Sequence, residues 1–281
     1  MIWGYAGVWP GAFGIYDGDR TMNKLRFVVE HGFGSTGIGL AELEDPARRD
    51  AIGQFVADHD LRLTPHVGPR GVEGGYFGTD VDAVRRALDA CVADLRRSAG
   101  AVRAPIVTTC VGPYHRFQAA PSLAEQMDRL ADVLGPLAAA CREMSCPLGI
   151  ENHGDYYCTD LVELCRRVPH LGIFLDTGNT YLIGEQSLPA CRAAAPYTIG
   201  THFKDHFVHP DPQTLTFVVE GAPLGAGHVG LREVYQALLD EAPRPDELVM
   251  QWEMVPPKEM DALACLEQSW AFIRSLPGAE A

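Results

Sequence analysis

The sequence has few lysines, no closely spaced cysteine pair and no long apolar run. Its only lysines are Lys24, Lys204 and Lys258, and the formal net charge of the 281 residues is −14. Proteins that bind a nucleic-acid backbone need clustered Lys and Arg side chains. Duplex nucleic acid is therefore not an expected partner.

The eight cysteines contain no C-x-x-C pair, and several fall on the apolar faces of helix-like segments. This pattern favours reduced thiols in a core over disulfides or a zinc cluster. No run approaches the roughly 20 apolar residues that span a bilayer. The opening MIWGYAGVWPGAFG lacks the basic and apolar regions of a signal peptide. We therefore expect a cytoplasmic protein without a membrane partner.

Short apolar runs alternate with segments of helical period along the chain. The runs are apolar on both faces, as parallel strands covered by helices are. They lie at 2–8, 35–40, 61–67, 104–111, 146–152, 171–177, 197–205 and 247–254. Eight strands and eight helices in strict alternation predict an α/β fold, a single (β/α)8 TIM barrel over residues 1–281. The stretch 205–229, rich in Pro and Gly, is predicted to be irregular and to cover the barrel mouth.

Polar residues close four predicted strands, namely Glu151, Asp176, His202 and Glu253. In such barrels the chemistry lies at the carboxyl ends of the strands, so these side chains should meet at one rim. A helix cap or an ion pair explains one carboxylate at a strand end, but hardly a whole set. Three carboxylates that close would not all ionise without a cation among them. Three oxygens and one nitrogen, without thiolate, predict a divalent metal, Mn2+ or Mg2+, with Co2+ or Zn2+ as substitutes.

Further side chains near the strand ends are candidates for binding a substrate. Histidines, amides and ammonium groups can bind substrate oxygens, and aromatic faces suit C–H surfaces. The plainer alternatives are a hydrogen-bonded structural His, an ion pair of Lys204 with Asp205, and packing of the aromatic rings. The candidates are His66, His115, His153, Asn179, Lys204, His206, Trp9 and Tyr114.

The runs GIENHGDY, FLDTGN, THFKDH, LGAGHVG and QWEM resemble the xylose isomerase-like TIM-barrel superfamily over nearly the whole chain. That group includes ketose 3-epimerases, hydroxypyruvate isomerases, inosose dehydratases and apurinic endonucleases. The resemblance implies that Glu151, Asp176, His202 and Glu253 are metal ligands. It also implies that Glu151 and Glu253 exchange a proton with a ketose through a cis-enediolate. We expect a small neutral sugar as substrate, which suits the net charge of −14 better than a polyanion does, and a homodimer or homotetramer.

Three other functions would use the same barrel. A dehydratase or lyase acting on a keto-sugar or C-glycoside begins with the same proton abstraction. A phosphodiester hydrolase of the endonuclease kind uses three zinc ions and further histidines, for which His66 and His115 are candidates. A sugar-binding barrel would bind its ligand without exchanging a proton. Asn179 stands where both the endonucleases and the ketose 3-epimerases have a histidine, and EGAP (220–223) replaces a His-containing run of the endonucleases, which counts against three ions.

Overall fold

The computed structural model describes residues 1–8, 12–112 and 115–279, and its parallel strands form a closed barrel. Strand β10 pairs with β1 to close the ring, whose order is β1-β2-β3-β4-β5-β6-β7-β10. This confirms the predicted (β/α)8 fold. The barrel strands are β1 (Ile2–Val8), β2 (Ser35–Gly39), β3 (Arg62–His66), β4 (Val107–Thr109), β5 (Leu148–Glu151), β6 (Leu171–Asp176), β7 (Thr198–Phe203) and β10 (Val249–Met254).

Eight α-helices, counted over the described part of the chain, surround the barrel and turn their apolar residues toward it. Helix α4 (Leu123–Glu143) is capped by Ser122, which forms a capping box with Glu125. The Ser122 hydroxyl accepts the N–H of Glu125 at 3.4 Å, and the Glu125 carboxylate accepts the N–H of Ser122 at 2.7 Å. The helices are α1 (Arg20–Glu30), α2 (Pro46–Asp58), α3 (Val81–Val102), α4 (Leu123–Glu143), α5 (Cys158–Arg167), α6 (Ser187–Ala194), α7 (Leu231–Glu241) and α8 (Ala262–Arg274).

Two central strands show how the barrel positions polar groups. Every residue of β5 and β6 is buried. Because both faces of each strand are covered, their sequences are apolar without alternation. The only charged residues in these strands are the last ones, Glu151 and Asp176. The strand ends therefore carry both carboxylates to the same rim.

The prediction of an irregular stretch at 205–229 is wrong for most of its length. Strand β7 ends at Phe203, and the chain then forms an antiparallel hairpin of β8 (Asp205–Asp211) and β9 (Thr216–Ala222). The β-branched and aromatic residues of TFVV favour a strand. The prolines and glycines of the same stretch favour loops and so oppose that signal.

Asp205, the first residue of β8, fixes the turn that leads from the hairpin back to the barrel. Its Oδ1 accepts the backbone N–H groups of His206 at 2.9 Å and Val229 at 3.2 Å. Its Oδ2 accepts those of Gly225 at 2.9 Å and Gly227 at 3.0 Å. A Cβ at Gly227 would lie 2.2 Å from Asp205 Oδ1, so the turn requires glycine there. The Gly-rich turn thus wraps around a buried carboxylate.

We expect Asp205→Asn to lower the free energy of unfolding by roughly 2–3 kcal/mol, because an amide replaces one charged acceptor oxygen by a donor that faces N–H groups. Urea unfolding measures this change. Asp211→Asn is the matched control at the exposed end of β8, where Asp211 Oδ1 accepts two N–H groups of a turn that an amide oxygen can also accept. Its effect should stay within about 0.5 kcal/mol. Equal effects of the two changes would contradict this role of Asp205.

The cysteines behave as the composition suggested. All eight are free, and all but Cys110 are buried. Within the described residues, no helix combines the length and the apolarity needed to cross a membrane.

Candidate active site

Four side chains from separate strands meet at the carboxyl end of the barrel. The Nδ1 atom of His202 lies 2.9 Å from Glu151 Oε1, 3.6 Å from Glu253 Oε2 and 3.9 Å from Asp176 Oδ2. Asp176 and His202 are partners in the register of β6 and β7. Strand β5 lies on one side of β7 in the barrel and β10 on the other, so the two glutamates approach His202 from opposite sides.

The donor atoms of this cluster fit a divalent cation. Glu151, Asp176 and His202 each offer one atom within 4.8 Å of the others, and they are the only such group of three or more in the described part of the chain. A divalent cation bound to His202 would displace the proton of the imidazole, and the three carboxylates with the Lys204 ammonium then leave a local charge of −2 for the cation to balance. Carboxylate oxygens with one imidazole suit Mn2+ or Mg2+.

Lys204 is an internal cation of the cluster. Its Nζ atom lies 2.7 Å from Asp176 Oδ2, 2.6 Å from Glu253 Oε2 and 3.3 Å from Asn179 Oδ1. Burial alone would lower the pKa of Lys204, but Asp176 and Glu253 outweigh it, so the pKa is raised and the ammonium stays charged. The structure thus engages Lys204 and Asn179 with the carboxylates, and their contact with a substrate stays a prediction.

The two glutamates are ionised at neutral pH. Burial disfavours a charge on each, but His202 lowers the pKa of Glu151, and His202 with Lys204 lowers that of Glu253 to about 2. Burial likewise disfavours a charge on His202, but Glu151 and Glu253 raise its pKa to about 9. An ionised carboxylate is the state that a proton acceptor requires.

Asp176 is held in a fixed orientation by its neighbours. Its Oδ1 accepts the N–H groups of Gly178 and Asn179, each at 2.9 Å, which leaves Oδ2 facing the cluster. The Asn152 side chain accepts the Asp176 N–H at 2.7 Å and donates to the Asp176 carbonyl at 2.8 Å. The Asn179 side chain donates to the Asn152 carbonyl at 3.1 Å. These hydrogen bonds satisfy the buried polar groups of Asn152, Asp176 and Asn179, which explains why polar residues can be buried at the ends of β5 and β6.

A cavity of about 250 Å³ opens beside Glu151 and His202. Its wall includes Phe174, whose ring stands edge-on to the His202 imidazole with centroids 4.7 Å apart. Thr108 and Gln251 add hydrogen-bonding groups to the wall. The cavity therefore combines a polar reactive end with apolar sides, as small-ligand sites do.

Three of the predicted substrate-binding histidines lie near the cluster. His66 lines the cavity with Nδ1 3.3 Å from Thr108 Oγ1, and burial lowers its pKa. His153 is exposed, and its positive charge would lower the pKa values of Glu151 and Glu253.

His206 is buried against Gly178, where a Cβ would lie 2.7 Å from His206 Nε2. That nitrogen has no hydrogen-bond partner among the described residues, while Nδ1 lies 3.2 Å from the carbonyl of Glu220. Burial lowers the pKa of His206 to about 4, so the ring is neutral.

Of the other three candidates, only His115 lies in the described part of the chain, and it is not brought to the cavity. His115 accepts the N–H of Phe117 through Nδ1 at 3.2 Å, and its ring packs edge-on against the Phe117 ring. It is not part of the cavity wall. Trp9 and Tyr114 lie outside the described residues. Their predicted contact with substrate stays untested.

Sequence reasoning missed several residues of the cavity wall. Thr108 and Gln251 fall inside two predicted strands, where a polar side chain within an apolar run is a signal of an inward-facing group. Lys24, which is not among the predicted site residues, also lines the cavity. The feature of the sequence that could have drawn attention to Lys24 is that the chain has so few lysines.

The model of the xylose isomerase-like TIM barrel family matches residues 25–269. No curated protein has a matching sequence.

Solved structures share the fold at low sequence identity. D-psicose 3-epimerase from Clostridium cellulolyticum H10, solved with D-tagatose, has a TM-score of 0.70 at 15% identity, with 98% of this chain and 97% of that chain covered. A xylose isomerase-like TIM barrel protein from Mycobacterium smegmatis, solved in complex with magnesium, has a TM-score of 0.69 at 19% identity. The alignment covers 99% of this chain and 98% of that chain. The 3-keto-D-glucoside 4-epimerase from E. coli has a TM-score of 0.65 at 14% identity. The alignment covers 98% of this chain and 99% of that chain. At these low sequence identities, the similarity shows a common fold and nothing further.

Proposed function

The chain belongs to the xylose isomerase-like TIM-barrel family, and from that premise we propose that it is a divalent-metal-dependent isomerase or epimerase. It moves a proton at the carbon beside the carbonyl of a ketose or related keto-sugar. Two of the structural neighbours are named as sugar epimerases, and another was solved with magnesium.

The observation that carries this proposal is the pair of ionised glutamates on either side of one imidazole. Glu151 and Glu253 lie 2.9 Å and 3.6 Å from His202 Nδ1. Each has a positive group beside it that keeps the carboxylate charged in a buried place, Lys204 for Glu253 and the protonated His202 for Glu151. When a divalent cation binds His202, that cation would take over the role of the imidazolium. Two carboxylates on opposite sides of His202 suit removal of a proton from one face of a substrate and return of a proton to the other.

Each residue has a stated part in the reaction. Glu151 takes the proton from the carbon beside the carbonyl, and the electron pair of the broken C–H bond moves toward the carbonyl oxygen to give an enediolate. Glu253 first takes up a proton from solvent and then gives it to the opposite face, while Glu151 releases the proton it removed to solvent, so both carboxylates end the cycle ionised. Lys204 holds Glu253 in place through its ion pair. The ligands Glu151, Asp176, His202 and Glu253 would hold the divalent cation, most favourably Mn2+. A bound cation supplies polarisation of the substrate carbonyl.

Solvent exchange tests the proposal directly. Protein loaded in turn with Mn2+, Mg2+, Co2+ or Zn2+ is incubated in D2O with a panel of ketoses, and NMR follows the carbon beside the carbonyl. We expect deuterium to enter that carbon only in the presence of a divalent metal, with the mass of the product otherwise conserved. An unsaturated or cleaved product would replace the proposal with a dehydratase or lyase. Absence of exchange from every ketose tried, with metal bound, would count against proton transfer.

A further inference from the structure

Two cations of helix α1 line a second cavity that adjoins the first. This cavity has a volume of about 300 Å³, and its charged wall residues are Arg20, Lys24 and Glu42. Lys24 and Gly39 belong to the walls of both cavities. A Cβ at Gly39 would meet no described atom within 4 Å, so the passage beside Lys24 is open.

Neither cation has a carboxylate partner among the described residues. Lys24 Nζ donates to the Gly37 carbonyl at 2.5 Å and forms no ion pair there. The Arg20 guanidinium lies over the Tyr16 ring, 4.3 Å from its centroid, and forms none either. Glu42 is paired with another cation, because its Oε2 accepts two bonds from Arg48, at 2.6 Å and 2.9 Å, and Arg48 also pairs with Asp19.

This arrangement costs free energy in the absence of an anion. Arg20 and Lys24 are four residues apart on one helix and share a face, where like charges repel. An ammonium that has lost water also needs compensating partners. Loss of hydration lowers the pKa of Lys24 to about 8, partly offset by Glu42. Two of the three lysines in this acidic chain lie at the barrel mouth, and of these two only Lys204 is paired with carboxylates of the described residues.

We propose that the second cavity binds an anionic group of the substrate, a carboxylate or a phosphate, between Lys24 and Arg20, while the keto-sugar carbons occupy the first cavity. The inference rests on the proposed function and narrows its substrate class to ketose phosphates or keto-sugar acids. It replaces the neutral sugar expected from the net charge of −14. Local charge at a cleft, rather than net charge, selects the ligand that enters it.

Lysine acylation tests the anion site without any turnover. The full chain, loaded with magnesium, is treated at pH 8 with an amine-acylating reagent, and peptide mass spectrometry measures modification of each lysine. We expect inorganic phosphate or D-glycerate to protect Lys24 roughly 10-fold or more, while glycerol, the neutral match of glycerate, does not. Exposed Lys258 is the internal control. The Arg20→Met change should weaken the protection.

The outcomes of the labelling separate the sources of the anion. Protection by phosphate alone indicates a sugar phosphate, and protection by D-glycerate alone indicates a sugar acid. Unchanged labelling of Lys24 with both anions, or equal protection by glycerol, would overturn the proposal. Failure of Lys24 to react at all would also overturn it, since the side chain would then not face an open cavity.

Kinetics with matched substrates distinguish this proposal from the proposed function. For an anionic substrate, Lys24→Met should raise KM by roughly 10- to 100-fold with a smaller change in kcat. Lys24→Arg should restore most of the loss, and Lys258→Met should have no effect. Exchange into neutral ketoses but not into their phosphates or acids would refute the anion site and leave the isomerase proposal standing. Protection of Lys24 without exchange from any substrate would do the reverse.

Discussion

Glu151→Gln and Glu253→Gln are each expected to lower turnover by roughly 10²- to 10⁴-fold on the ketose that shows exchange. Glutamine keeps the shape and one acceptor oxygen of glutamate but cannot take up a proton. The loss should therefore appear in kcat, while metal content falls much less. Deuterium exchange and product formation, measured on the same samples, report the two half-reactions separately.

The two variants also distinguish a two-base from a one-base reaction. If Glu151 removes the proton and Glu253 returns it to the opposite face, Glu253→Gln should still wash deuterium into the substrate without forming epimer. Glu151→Gln should abolish both. Loss of exchange and product together in both variants indicates that each glutamate is needed before any proton moves.

A matched control excludes a general effect of losing one negative charge. Glu233 is exposed on α7, and Glu233→Gln should leave turnover within about 2-fold of the wild type, as surface changes usually do. Near-native turnover of Glu151→Gln and Glu253→Gln on the true substrate would remove both residues from the chemistry. Equal losses in all three variants would point to electrostatics of the whole chain.

Much of the barrel could be predicted because its strands are buried on both faces. In β5 and β6 every residue is buried, so each strand is a nearly continuous apolar run that can be recognised in the sequence. The hairpin of β8 and β9 gave no such signal, because it lies outside the barrel and most residues of TFVVEGA are only partly buried or exposed. Exposed strands are stabilised mainly by cross-strand pairing, which a single sequence does not display.

The cluster of Glu151, Asp176, His202 and Glu253 could be predicted for a topological reason. The ends of parallel barrel strands meet at one rim, so strand order alone brings these residues together. The partners of Lys204 could not be predicted in this way. Its neighbour in sequence is Asp205, which suggests a local ion pair, yet the ammonium reaches Asp176 and Glu253 on other strands.

Lys24 shows a second limit of reading by pattern. Helical periodicity assigns α1 its apolar face, with Leu25 and Val28 buried. It does not say that the long side chain beside that face reaches the carbonyl of Gly37 and the barrel interior. Reach of this kind depends on the distance between a helix and a strand end, and only the folded structure fixes that distance.

Removal of the metal is expected to have the largest effect on stability. A cation that binds only the folded state stabilises it by about 4 kcal/mol when present at a thousand times its dissociation constant. For a chain of this size that corresponds to a thermal midpoint higher by roughly 10 °C. Treatment with a chelator should remove this increment, and Mn2+ should restore it.

Asp176→Asn and His202→Ala should lower metal occupancy and the metal-dependent increment together. Asp176 is fully buried, with Oδ1 bound to two N–H groups and Oδ2 turned to the cluster, so the amide of Asn would present either a neutral oxygen or a donor. His202→Ala removes the only nitrogen donor of the group. Elemental analysis measures occupancy, and thermal unfolding with and without Mn2+ measures the increment.

Asp58→Asn and His59→Ala, both exposed at the end of α2, are the matched controls and should keep the metal and its increment. Their own effect on the midpoint corrects for any loss of stability that is independent of metal, because the increment is a difference between two curves of the same variant. If the cluster held no cation, Mn2+ would not raise the thermal midpoint of the wild type, and the variants could not reduce this increase. Unchanged metal content in Asp176→Asn and His202→Ala would show that the metal does not bind at this rim. The proton transfer assigned to Glu151 and Glu253 would then have to proceed without a cation beside the substrate carbonyl.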